Sequence, residues 1–149
     1  MRIYLTVIDD TPEALSALRF AARRAVKTGG GVEILALLPP QEFIAFGGVQ
    51  ATIEEEQRQR AEGLVARAAG TILEESGVRP SLTVREGDGP KVIRQMIADN
   101  PRIAALVLGA APGAPGALVS HFAAEAGTLP VPLMIVPGGL DAAAIDRLS

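Results

Sequence analysis

Two short stretches of this chain carry the residue types and spacing that could do chemistry. The first is Gly109-Ala-Ala-Pro-Gly-Ala-Pro-Gly116, which follows the apolar run Ile103–Leu108 and precedes a helix-like stretch, Ala117–Ala126. A buried strand that feeds a glycine loop and then a helix start brings unpaired backbone N–H groups and the positive end of the helix dipole to one point. A phosphate settles there without any basic side chain. The same composition also describes a connector with nothing bound. The second stretch is Asp9-Asp10-Thr11, after the apolar run Ile3–Ile8. Its carboxylates suit a metal or ligand contact, and equally they stabilise the helix that begins beside them.

The remaining polar residues are weaker candidates for chemistry. Thr11 stands where a helix cap belongs. Ser120 is an early helix residue within reach of a helix N-terminus, so it either meets phosphate or serves the helix. His121 is the only histidine and has no evident base-orienting partner in the sequence. Glu54-Glu-Glu56 reads as a solvated helix face. The Gly109–Ser120 region lacks the Gly-Lys-Ser/Thr ending that neutralises phosphates in transfer. No Gly-x-Ser-x-Gly elbow occurs either. This inventory points away from an efficient kinase or ATPase, leaving at most slow ATP hydrolysis.

Composition narrows the classes further. With 149 residues the chain makes one ordinary domain, and 48% hydrophobic with 3% aromatic residues means an aliphatic core. Fourteen basic residues against 17 acidic ones give a formal charge of −3, with no dense basic run, which argues against nucleic acid as a partner. No uninterrupted apolar stretch reaches membrane-spanning length, and Ile3–Ile8 ends in two aspartates, unlike a signal peptide. The absence of cysteine removes thiol catalysis and zinc–thiolate sites and fits a reducing compartment. A cytoplasmic protein with no membrane or nucleic-acid partner is expected.

The elements that must position the two stretches alternate along the chain. Strands are expected at Arg2–Ile8, Val32–Leu38, Ser81–Arg85, Ile103–Leu108 and Leu133–Val136. The first helix starts at Thr11-Pro12, with Leu15, Leu18, Ala22, Ala25 and Val26 as its apolar stripe. After an irregular stretch, Gln41–Gln50, a long helix uses Ile53, Ala61, Leu64, Val65, Ala68 and Ile72. A third uses Val92, Ile93, Met96 and Ile97, and a capped helical turn, Asp141–Leu148, closes the chain. Five strands separated by helices imply an α/β fold, a doubly wound parallel sheet of Rossmann-like type with helices on both faces. Ligands of such sheets bind beyond the carboxyl ends of the strands where the winding reverses. A reversal between the first and fourth strands would bring Asp9 and the glycine loop into one crevice. The prolines flanking Leu133–Val136 suit an edge strand.

The order of Val7-Ile-Asp-Asp-Thr-Pro-Glu-Ala-Leu15, Glu86-Gly-Asp88, a strand ending in Gly109, and Pro130-Val-Pro-Leu-Met-Ile-Val-Pro137 resembles the universal stress protein family, of single-domain bacterial type. The resemblance covers residues 1–137 and leaves 138–149 as a short helical tail. It implies a flavodoxin-like sheet in the order 3-2-1-4-5 and a homodimer joined through Leu133, Met134, Ile135 and Val136. In one branch of the family it implies ATP, with magnesium, at the ends of strands 1 and 4. By the same resemblance Asp9 matches the aspartate that lies against adenosine, and the backbone facing adenine falls near Leu37.

The nucleotide-binding branch spaces its glycines differently. Gly109 matches the first glycine of that pattern, but Gly113 comes one residue late, and the loop is about three residues short. Val119 then falls at the last glycine and Ser120 at the hydroxyl. A β-branched residue disfavours close backbone approach and positive φ, and Pro112 and Pro115 each remove an N–H donor. Gly113, Gly116 and the Ser120 hydroxyl remain to line the crevice. Three functions follow: a regulatory module that binds ATP or AMP weakly and reports it to a protein partner, a dimeric interaction protein that binds no nucleotide, and a slow ATP hydrolase.

Overall fold

The computed structural model describes residues 1–39 and 47–149. Its strands are β1 (Ile3–Val7), β2 (Gly31–Leu38), β3 (Ser81–Glu86), β4 (Ile103–Ala110) and β5 (Leu133–Pro137). The helices between and after them are α1 (Pro12–Thr28), α2 (Gly47–Ser76), α3 (Gly89–Asp99), α4 (Ala117–Ala124) and α5 (Ala142–Leu148), with a 3-10 turn at Ala126–Thr128. All pairings are parallel and the order is β3-β2-β1-β4-β5, so the winding reverses between β1 and β4 as expected. Of the expected irregular stretch, residues 41–46 lie outside the described residues, and residues 47–50 form the first turn of α2.

Alternation along the strands builds two cores. Tyr4 and Ile8 of the first strand segment, Ile34, Ala36 and Leu38 of β2, and Ala105 and Val107 of β4 pack beneath α1 and α2. Leu5, Leu35, Leu106 and Leu108 point the other way, onto α3 and α4 with Ile93, Ile97, Val119 and Phe122. A register shift between Ile3 and Tyr4 on the β1–β4 pair accounts for Ile103 and Ala105 belonging to opposite cores despite their two-residue spacing.

The helices correct part of the expected patterning. In α1 the buried stripe is Ala14, Ala17, Leu18, Ala21, Ala22 and Ala25, whereas Leu15 and Val26 are exposed. Small side chains let this helix lie close on the sheet, and spacing alone selected the larger neighbours. Ile53 of α2 is likewise exposed, while Ala61, Val65, Ala68 and Ile72 are buried. Caps are where the residue types put them: Thr11, Asp88 and Asp141 each accept a hydrogen bond from a first-turn N–H.

The tail docks on α1. Asp146 of α5 receives hydrogen bonds from Arg19 Nε and Nη2 at 2.9 and 2.8 Å and an ion pair from Arg23 at 3.2 Å, and Ile145 beside it is buried. Donation from Arg19 holds the Asp146 carboxyl below its usual range, helped by the charges of Arg23 and Lys27.

Candidate functional site

The turn from β1 to α1 is tightly built. Asp9 Oδ1 accepts from the Thr11 N–H at 3.0 Å and from the Thr11 hydroxyl, and Thr11 Oγ1 accepts from Ala14 N at 3.3 Å. Asp9 thus fixes the capping residue while Oδ2 makes no hydrogen bond among the described residues. Thr11 is a cap, as its type and the following proline suggested.

Opposite this turn, β4 runs two residues beyond the expected end, so Gly109 is a strand residue paired with Val136, and the loop is Ala111–Gly116. Gly109 is required by packing. A Cβ at this position would lie 1.9 Å from the Glu13 carbonyl oxygen, so the first turn of α1 rests directly on the strand. Gly116 caps α4 at φ 99° and ψ 160° with no side-chain hydrogen bond, leaving the α4 N-terminus without a side-chain cap. Gly113 has φ 98°, and nothing lies within 4 Å of where its Cβ would be.

Between the two turns lies a cavity of about 230 Å³. It is bounded by Asp9, Thr11 and Glu13 on one side and by Gly109 and Pro115–Val119 on the other. A second cavity, of about 260 Å³, shares Asp9 and extends between the β2 end and α2, where Leu37, Leu38, Pro39, Arg60 and Leu64 line it. The side chain of Leu37 packs with the opposite core, near Leu118 and Gly89, and Leu37 also lines this cavity.

The structure therefore brings Asp9, Leu37, Gly109 and Gly116 around a crevice made of these two cavities, which meet at Asp9. Gly113 and Ser120 do not line it. Ser120 is exposed on α4, and its N–H is committed to the Gly116 carbonyl at 3.0 Å. Val119 is a helical residue with negative φ whose side chain is buried in the α3–α4 core, so its β-branch imposes no backbone strain here. Glu13 and Arg60 are lining residues that sequence reasoning passed over. An acid one residue past Thr11-Pro12 was the available signal for the first, and none marked the second.

His121 has a partner after all. Its Nε2 lies 3.2 Å from Glu125 Oε2, one helical turn on, and Arg94 Nη2 donates to the same oxygen at 2.6 Å. Arg94, and then His121, hold the Glu125 carboxyl below its ordinary range. The i,i+4 spacing would have revealed this pair. Among the described residues no group of three or more His, Cys, Asp or Glu side chains converges as a metal site. No described helix is long and apolar enough to cross a membrane.

With this geometry in place, comparison with known proteins decides the family, because residues 1–137 match the universal stress protein family. The chain belongs to the universal stress protein family. Solved structures of that family share its fold. Universal stress protein UspA from Lactobacillus plantarum superimposes with a TM-score of 0.74 at 17% identity, covering 91% of this chain and 97% of that one. The universal stress protein from Archaeoglobus fulgidus in complex with dAMP gives 0.63 at 20% identity, with 91% and 97% covered. An Arabidopsis thaliana universal stress protein family protein with AMP bound gives 0.59 at 16% identity, with 92% of each chain covered. No curated protein sequence matches this chain.

Proposed function

We propose that this universal stress protein is a cytoplasmic regulatory module that binds an adenine nucleotide weakly in the crevice between β1 and β4. The observation that carries the reading is that Asp9 lines both cavities, one at the β2 end and one at the start of α4. The base enters the apolar cavity beside the Leu37 main chain, the ribose meets Asp9, and the phosphate faces the N–H groups that open α4. The dAMP and AMP complexes of the Archaeoglobus and Arabidopsis relatives support this choice of ligand class. Magnesium would arrive on a nucleotide's phosphates, with Asp9 as the nearest carboxylate of this chain. Calorimetric titration of nucleotide-stripped protein with AMP and with Mg·ATP tests the reading. Saturation near one ligand per chain, lost in Asp9→Ala, is the expected result, and no heat at millimolar ligand would refute it.

A homodimer formed through β5 is the second part of the proposal. This strand ends the sheet next to β4, and Ile135 on it is 41% exposed. An unpaired strand edge bearing an exposed isoleucine suits pairing with a second copy. Should nucleotide binding fail, the dimer remains as an interaction module, so the oligomeric state is measured independently of ligand.

A further inference from the structure

The cavity that would take the phosphate is electrostatically unusual. Its ionisable lining residues are Asp9 and Glu13, both acids, and no lysine, arginine or histidine lines it among the described residues. Residues 40–46, outside that set, hold Glu42 and no basic residue. Arg60 is the cation of the crevice, and it lines the other cavity, at the Leu37 end.

Glu13 is fixed at this position by the backbone. Its carbonyl and Cβ lie against Gly109, and its Cβ also lies against Gly138, so the first turn of α1 is wedged between β4 and the segment after β5. The half-buried side chain starts from that anchor. Facing it, the α4 N-terminus offers the equivalent of roughly half a positive charge. Pro112 and Pro115 withhold two of the loop's N–H donors. The start of α1, whose first turn lines the same cavity, adds a similar partial charge, and two carboxylates outweigh the pair, so the phosphate end of the crevice is net negative.

We propose that Glu13, together with Asp9, makes this site select adenine ligands by charge. The preferred class is a neutral or monoanionic adenine compound, a nucleoside or a phosphodiester, and a triphosphate enters only as its divalent-cation complex. This rests on the nucleotide reading above and adds to it a specificity-determining residue, Glu13.

The test is a calorimetric series with adenosine, 3′,5′-cyclic AMP, AMP and ATP at low ionic strength, in EDTA and then in excess magnesium. In EDTA, affinity should fall along the series by roughly threefold for each added ligand charge, and the steps should shrink in high salt. Magnesium should restore ATP selectively. With each affinity taken relative to adenosine in the same variant, Glu13→Gln should flatten the series and Glu13→Lys should invert it; thermal melts of both variants establish that they are folded. Metal-free ATP binding as tightly as adenosine would overturn the proposal, as would an unchanged series in folded Glu13→Gln. Failure of all four ligands would remove the nucleotide reading itself and the charge rule with it.

Discussion

Replacing Gly109 with alanine tests the claim that this glycine serves packing between β4 and α1. Real Cβ atoms essentially never approach a heavy atom within 3.0 Å, so a Cβ placed 1.9 Å from the Glu13 carbonyl oxygen must be relieved by at least ~1.1 Å. The obstacle is helix backbone, which no rotamer change moves. Its neighbour Ala14 is buried, and Thr11 fixes the turn before it. Overpacking in such settings costs about 1–3 kcal/mol, and a backbone obstacle places this substitution near 3 kcal/mol. With a urea m-value of about 2 kcal/mol/M for a chain of this size, the midpoint should fall by about 1.5 M at unchanged slope. Gly70→Ala is the internal control. That glycine is exposed within α2 with nothing within 4 Å of an added Cβ, so alanine should raise the midpoint by about 0.4 M through helix propensity alone. A Gly109→Ala midpoint within about 0.3 M of the parent would refute the packing argument.

Three further outcomes are expected. The hydroxyl of Thr6 is fully buried in β1 without a hydrogen-bond partner among the described residues, so Thr6→Val should stabilise the protein by about 1 kcal/mol in the same urea experiment. Asp146 and Glu125 have depressed pKa values in the folded state, so their stabilising contribution is complete above the ordinary carboxylate range and is lost as pH falls through the lowered values. Protection factors for amide exchange in residues 142–148, taken relative to the intrinsic rate at each pH, should therefore fall on acidification below about pH 4, and Asp146→Asn should lower them in the same way at pH 7. Ile135→Glu, at the exposed residue of β5, should shift sedimentation toward monomer if β5 is the dimer edge, with melting of the monomer little changed.

The sequence reveals those features of the fold that are local. Thr11-Pro12, Asp88 and Asp141 announce helix starts because capping depends on one side chain and the next three residues. Strand alternation survives because β1, β2 and β4 each feed two cores. The stripe of α1 was misplaced toward Leu15 and Val26 because hydrophobic spacing does not record how closely a helix approaches a sheet, and the close approach favours alanine. The glycine loop shows the same limit. Gly109 has the appearance of a ligand glycine, yet its constraint comes from Glu13, far away in the chain, and Ser120 turns outward because Gly116 starts the helix four residues earlier. Asp9 and Leu37, which the family resemblance singled out, line the crevice, whereas Arg60 reaches it from α2, whose placement no local pattern encodes.

Two features of this chain bear on one physical quantity. Prolines in the 111–116 loop remove donors that would favour a polyphosphate, and Glu13 adds negative charge at the same end of the crevice. Either change alone would weaken triphosphate binding; together they leave the apolar base cavity beside Leu37 and Leu64 untouched. The combination suits a ligand held mainly through its base and ribose, for which phosphate charge is a reason for exclusion. Titration of adenosine against metal-free ATP is the comparison that tests it.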